Sequence, residues 1–174
     1  IQRGQETPVT RGYNPVEILI VDDSADDSIL MERELTKNKV ANHIVAVKSG
    51  DEALDYLFCR GAYATRAHDE LPRVVFLDLN MPRLSGIETL KIIRADPRTA
   101  EIPVVIFTIS HDDANIAAAY AAGANSYVVK PVSLDQMRIA MQSLGWYWLI
   151  VNLTPSGTKS GFMRNGGASE HSGV

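Results

Sequence analysis

Five side chains could do chemistry together if the fold brought them to one place: Asp22, Asp23, Asp78, Thr108 and Lys130. Carboxylates held close repel one another, and each resists ionising without a counter-charge. A hard divalent cation removes that conflict. Mg2+ prefers oxygen ligands, keeps several waters, and is bound by one or two carboxylates together with a phosphoryl oxygen. With the metal and the Lys130 ammonium beside it, Asp78 stays anionic and can attack phosphorus, forming an aspartyl phosphate. Phosphoryl transfer asks for positioning and charge neutralisation more than covalent help from the protein. The set offers both.

Whether the five meet depends on the elements that carry them. Short β-branched runs alternate with longer helical patterns along the chain. Glu17–Asp22, His43–Val47, Val74–Leu77, Val104–Thr108 and Ser126–Val129 read as strands, three of them almost wholly apolar, as strands covered on both faces are. Helical patterns fall at about 25–37, 51–60, 86–95, 112–122 and 133–148. The alternation predicts an α/β domain, a doubly wound parallel sheet with right-handed crossovers. In such sheets ligands sit outside the carboxyl ends of the strands. Asp22-Asp23, Asp78, Thr108 and Lys130 each stand at such an end. Ser24 is placed to cap the first helix, with Asp26 and Asp27 as solvated first-turn acids. Gly123 closes the fourth helix where a left-handed residue is wanted. Residues 1–15 read as a flexible arm, 16–148 as the domain and 149–174 as an extension, flexible after 154, where 21 residues hold 5 Gly and 4 Ser. The polar stretch Arg60–Pro72 reads as a surface excursion.

These residues stand in motifs: VDD at Val21–Asp23, DLNMPRLSG at Asp78–Gly86, FTIS at Phe107–Ser110 and SYVVKP at Ser126–Pro131. Together they resemble the receiver domain of two-component response regulators, across roughly residues 15 to 145. Asp78 precedes Thr108 by 30 positions and Thr108 precedes Lys130 by 22, the intervals that family keeps. The resemblance implies a flavodoxin-like five-stranded sheet in the order 2-1-3-4-5. It makes Asp78 the phosphoacceptor, Asp23 a direct Mg2+ ligand, Asp22 a ligand through water and the Asn80 carbonyl a further ligand. It also implies that Lys130 pairs with Asp78 or its phosphoryl group and that Thr108 bonds a phosphoryl oxygen. Tyr127 matches the aromatic position that moves with the Thr, and reads equally as a packed sheet-edge residue. A cis bond between Lys130 and Pro131 is expected on the same ground.

Two features depart from the commonest family pattern. Ile109 stands where a small residue is usual, and its branched side chain should narrow access to the phosphoryl group. The long Arg60–Pro72 loop, with the aromatic end of the last helix, resembles the single-domain regulators that serve phytochrome-type kinases. Beside these, His43, His68 and His171 lack partners at ligand spacing, and His111 reads as a loop residue. Cys59 reads as a small apolar helix residue.

Charge and composition bound the partners. The net charge of −4 and the pI of about 5.5 argue against nucleic-acid binding through a broad basic face. One cysteine forbids an internal disulfide and a Cys-based zinc cage, and with no secretory leader in view the expectation is a cytoplasmic protein. No apolar run approaches the roughly 18 residues of a membrane span. A sensor histidine kinase is the partner that the resemblance implies, and exposed Ile29 on the first helix is a docking candidate. The run Trp146–Val151 is too apolar to face one core on a helix, so a homodimer through helices 4 and 5 and this segment is expected. With no helix-turn-helix after residue 150, output falls to protein contact or phosphate relay. The chain is thus expected to be a switch and not an enzyme, labelling itself and losing the phosphoryl group slowly. Rival readings are a phosphorelay shuttle or phosphate sink, an Mg2+-dependent phosphatase and a flavin-binding protein. The phosphatase would want an acid where Asn80 stands; a flavin phosphate would be repelled by Asp22-Asp23.

Overall fold

A computed structural model of the protein describes residues 17–37, 41, 43–68 and 70–153. Both terminal segments expected to be flexible lie outside the described residues. The elements run β1 (Ile18–Val21), α1 (Ala25–Lys37), β2 (Ile44–Val47), α2 (Gly50–Leu57), β3 (Val74–Leu77), α3 (Gly86–Ala95), β4 (Val104–Thr108), α4 (Asp113–Ala121), β5 (Ser126–Val129) and α5 (Leu134–Trp146), with a π-helical turn at Tyr147–Val151. All strand pairs are parallel, and the sheet order is β2-β1-β3-β4-β5. The expected fold class and strand order are therefore found.

Burial follows the pleat. β1, β3 and β4 are buried at every position, while the edge strands β2 and β5 are partly exposed. Successive side chains alternate between two apolar layers. Leu19, Val21, Val75, Leu77, Val104 and Ile106 pack with α2 and α3. Ile18, Ile20, Val74, Phe76, Val105 and Phe107 pack with Met31 and Leu35 of α1 and Met137 and Met141 of α5. Helices on both faces explain why the central strands carry no alternation in sequence.

Several helix ends are set by single residues. Ser24 Oγ accepts from the Asp27 N–H at 3.2 Å, as the cap requires. Ser85 and Glu88 form a reciprocal capping box on α3. Gly123, at φ +98°, ends α4 in the left-handed region. Helix α2 is shorter than its pattern predicts. It stops at Leu57, and Cys59 lies beyond it at φ +53°, buried but not helical. There the Arg60 N–H bonds the Asp55 carbonyl and the Cys59 N–H that of Tyr56, so the last carbonyls are satisfied by a turn. The excursion after Arg60 is pinned down, because the Arg66 guanidinium lies 3.6 Å over the Tyr56 ring and donates to the Tyr56 and Glu70 carbonyls.

The apolar run after α5 divides. Trp148 and Leu149 join the layer beneath α1 and α5, and Arg73 donates to the Leu149 carbonyl. Trp146, Tyr147, Ile150 and Val151 stay about half exposed. Among the described residues no helix is long and apolar enough to cross a membrane.

Candidate functional site

The register of the sheet builds the site. Val21 pairs with Leu77 across β1 and β3, so the residues that follow, Asp22 and Asp78, stand level. β1 and β3 flank the point where strand order reverses, the crevice such sheets use for ligands. The ladder continues one step beyond the strands. The Asp22 N–H bonds the Val47 carbonyl at 3.1 Å, the Asp78 N–H the Val21 carbonyl at 2.9 Å, and the Lys130 N–H the Thr108 carbonyl at 2.7 Å. Backbone hydrogen bonds thus fix each side chain at its root. Gly86 completes the frame. A Cβ there would lie 2.2 Å from the Asp78 carbonyl oxygen, so only glycine lets α3 start this close to the strand end.

Carboxylate oxygens of Asp22, Asp23 and Asp78 gather within 4.8 Å of one another. Asp22 and Asp78 are buried and Asp23 is exposed, so the cluster opens to solvent through Asp23. Lys130, also buried, points into it. Its Nζ lies 2.6 Å from Asp22 Oδ2, 2.8 Å from Asp27 Oδ2 and 3.4 Å from Asp78 Oδ2. Burial raises the Asp22 carboxyl above its usual range, against the lowering effect of hydrogen bonds from Lys130 and the Ser24 N–H. For Lys130, burial favours the neutral amine, but bonds to Asp22 and Asp27 and the charges of Asp22 and Asp78 outweigh it and hold the ammonium charged. Three acids about one lysine still leave an excess of negative charge. Three carboxylate oxygens at this spacing, that of Asp23 facing water, fit a hard divalent cation.

Thr108 is fully buried, with its hydroxyl oxygen 3.5 Å from both Asn80 Nδ2 and the Ser110 N–H. The Asn80 N–H reaches Asp78 Oδ1 at 3.3 Å. Tyr127 is half-buried, packs against the α2–α3 layer and donates its hydroxyl to the Ser110 carbonyl at 3.0 Å. Ile109 is 68% exposed. The structure brings Asp22, Asp23, Asp78, Lys130, Thr108 and Asn80 together at one edge, with Tyr127 and Ile109 on the adjoining strand and loop.

Two expectations need correction. Asp27 is not merely a solvated first-turn acid, since it is one of the three carboxylates on Lys130. Its contact spans 103 positions, and nothing local in the sequence marks it. The Lys130–Pro131 bond is trans, and no peptide bond among the described residues is cis. An X–Pro amide separates the two forms by only about 0.5–1 kcal/mol, so local sequence does not choose between them.

Residues 18–142 match the family model of the response regulator receiver domain. The chain belongs to the response regulator receiver family. This receiver domain is 33% identical over 151 residues to the probable methanogenesis regulatory protein FilR2 of Methanothrix harundinacea, covering 84% of this chain and 92% of that one. It is 31% identical to response regulator Rcp1 of Synechocystis, over 78% and 90% of the two chains. Among solved structures, the phosphorylated cyanobacterial phytochrome response regulator RcpA superposes with a TM-score of 0.75 at 32% identity, covering 82% of this receiver and 99% of that chain. The Mn2+-bound form of Rcp1 gives 0.74 at 30% identity, over 82% and 100%. Single-domain phytochrome-associated regulators are thus among its relatives in sequence and in fold.

Proposed function

We propose that this receiver takes a phosphoryl group from the phosphohistidine of a sensor kinase onto Asp78, and that the modified domain presents an altered surface to a protein partner. The observation that carries the reading is the acid cluster with Lys130 at the β1/β3 crevice. In the transfer a carboxylate oxygen of Asp78 bonds to phosphorus as the bond from phosphorus to the kinase imidazole breaks, and the imidazole nitrogen leaves with that electron pair. Asp23, Asp78 and the Asn80 carbonyl would hold Mg2+, with Asp22 joined through water. The ion would neutralise the crowded carboxylates and draw charge off the phosphoryl oxygens. Lys130 and Thr108 offer the donors an added phosphoryl group needs, and Ile109, exposed beside Thr108, narrows the approach. Tyr127, anchored by one hydrogen bond to the Ser110 carbonyl, is the candidate to shift when that loop moves.

Phytochrome-associated relatives support a kinase of the phytochrome type, with the site in the cytoplasm, where such transfer would occur. We read the chain as a switch, its chemistry limited to its own labelling and slow loss of the label. It would act as a homodimer through α4, α5 and the half-exposed side chains of Trp146, Tyr147, Ile150 and Val151, with no part for nucleic acid. Intact mass after acetyl phosphate with Mg2+ tests the core of the reading: the wild type gains one phosphoryl group and Asp78→Asn gains none. Equal labelling of the two would overturn it. A monomer by light scattering at tens of micromolar removes the dimer alone.

A further inference from the structure

An ammonium has three N–H donors and no acceptor. Those of Lys130 face Asp22 at 2.6 Å, Asp27 at 2.8 Å and Asp78 at 3.4 Å. The cation is drawn toward the α1 side and sits loosely against the phosphoacceptor. Two of its three carboxylates have a second demand on them, because Asp22 and Asp78 belong to the group suited to a cation and Asp27 does not. Charge arriving at that group competes for Asp22 and Asp78 and leaves the hold of Asp27 intact. Helix geometry makes the distinction sharp. Asp27 sits one turn into α1 with its N–H on Ser24 Oγ, its side chain 34% exposed. Asp26, rotated by roughly 100° on the same turn, is exposed and carries the same charge.

Resting on the reading of Asp78 as phosphoacceptor, we infer that Asp27 is a positioning residue that restrains Lys130, setting how readily the ammonium moves onto a phosphoryl group at Asp78. The phosphoryl oxygens require the donors that Asp27 holds. A carboxylate accepts more strongly than a neutral amide of the same shape, so Asp27→Asn loosens the restraint while keeping a hydrogen-bond acceptor. The function this gives the residue is a brake on self-labelling, placed on the helix that lines the acidic crevice.

The test follows the initial rate of labelling of the full chain by acetyl phosphate with Mg2+, read by intact mass, beside Mg2+ affinity by calorimetry. Asp27→Asn should label about 3- to 10-fold faster, as loss of one charge-assisted contact implies. Asp27→Ala, a second variant in case the amide perturbs the helix start, should move in the same direction. Asp26→Asn, the charge control, should stay within about 2-fold, and Mg2+ affinity of Asp27→Asn should change less than its labelling rate, because Asp27 is coupled to the cation group only through their shared partner Lys130. An unchanged or slower rate in the Asp27 variants overturns the inference. So does an equal rise in Asp26→Asn, or a matching change in Mg2+ affinity. Absence of label on the wild type would sink the reading of Asp78 instead, so the two failures are told apart.

Discussion

Two cations anchor opposite edges of the same sheet, and they are used differently. Lys130, at the carboxyl edge, contacts three carboxylates, two just past the ends of β1 and β3 and one in α1. Arg94, at the amino edge, gives Nε to the Gly123 carbonyl at 2.9 Å, Nη1 to the Ala100 and Ile102 carbonyls at 3.1 and 2.8 Å, and Nη2 to Asn125 Oδ1 at 2.7 Å. Asn125 Oδ1 also accepts from the Val104 N–H, so the guanidinium ties α3 to the entries of β4 and β5. A planar fork with fixed donors suits several backbone carbonyls in set directions; a compact ammonium on a flexible stem reaches carboxylates from three elements at one point. One cation closes the fold and the other serves the site.

Replacing each cation by methionine in turn separates the two roles. Lys130→Met leaves buried carboxylates without their counter-charge, which should cost about 3 kcal/mol in the metal-free protein. On the proposed reading Mg2+ would neutralise the same acids, so the variant should gain more stability from Mg2+ than the wild type does, read as melting temperatures in EDTA and in saturating Mg2+. An equal gain in both proteins would dissolve the distinction between the edges. Arg94→Met should cost about 2–3 kcal/mol through the carbonyls it abandons, with the Mg2+ gain and acetyl-phosphate labelling at wild-type levels. Labelling that fell with Arg94 would show the amino edge to be part of the site.

Smaller changes probe the amino edge alone. Gly123→Ala forces a side chain into the left-handed region and sets a Cβ 3.1 Å from Arg94 Nε. About 1–2 kcal/mol should be lost, and denaturant midpoints would measure it. The smallest effect concerns Asp96, whose carboxyl is held down to about 2, chiefly by the Arg98 side chain and also by its N–H. A carboxyl lowered in the folded state contributes stability above its unfolded value and loses it as pH falls through the folded one. Wild type and Asp96→Asn should therefore differ at pH 5 and converge between about pH 4 and 2. A gap constant across that window would mean the pair contributes nothing through charge.

How much of this was legible in residue order varies by element. β3, β4 and β5 are bounded as their apolar runs predict, and α1 and α3 begin just after the serines that cap them. Short-range chemistry sets those limits. Helix α2 broke the rule because its pattern continues past a turn closed by the Cys59 and Arg60 N–H groups. The apolar run after α5 announced that its residues could not share one face. Which of them are buried is settled by the apolar layer of α1 and α5, where Arg73, a strand-entry residue far away in sequence, also bonds the Leu149 carbonyl.

The sequence by itself determined the kinds of elements, their alternation, and the presence of acid, hydroxyl and ammonium groups at the carboxyl ends of strands. Those follow from periodicity, caps and turn residues, which act over a few positions. The assembled domain decided the rest: that Asp22 stands level with Asp78, that Asp27 and not Asp26 reaches Lys130, and that the Lys130–Pro131 bond is trans. Each is a contact or a near-degenerate choice that local energies leave open. Only packing across the whole domain assigns it.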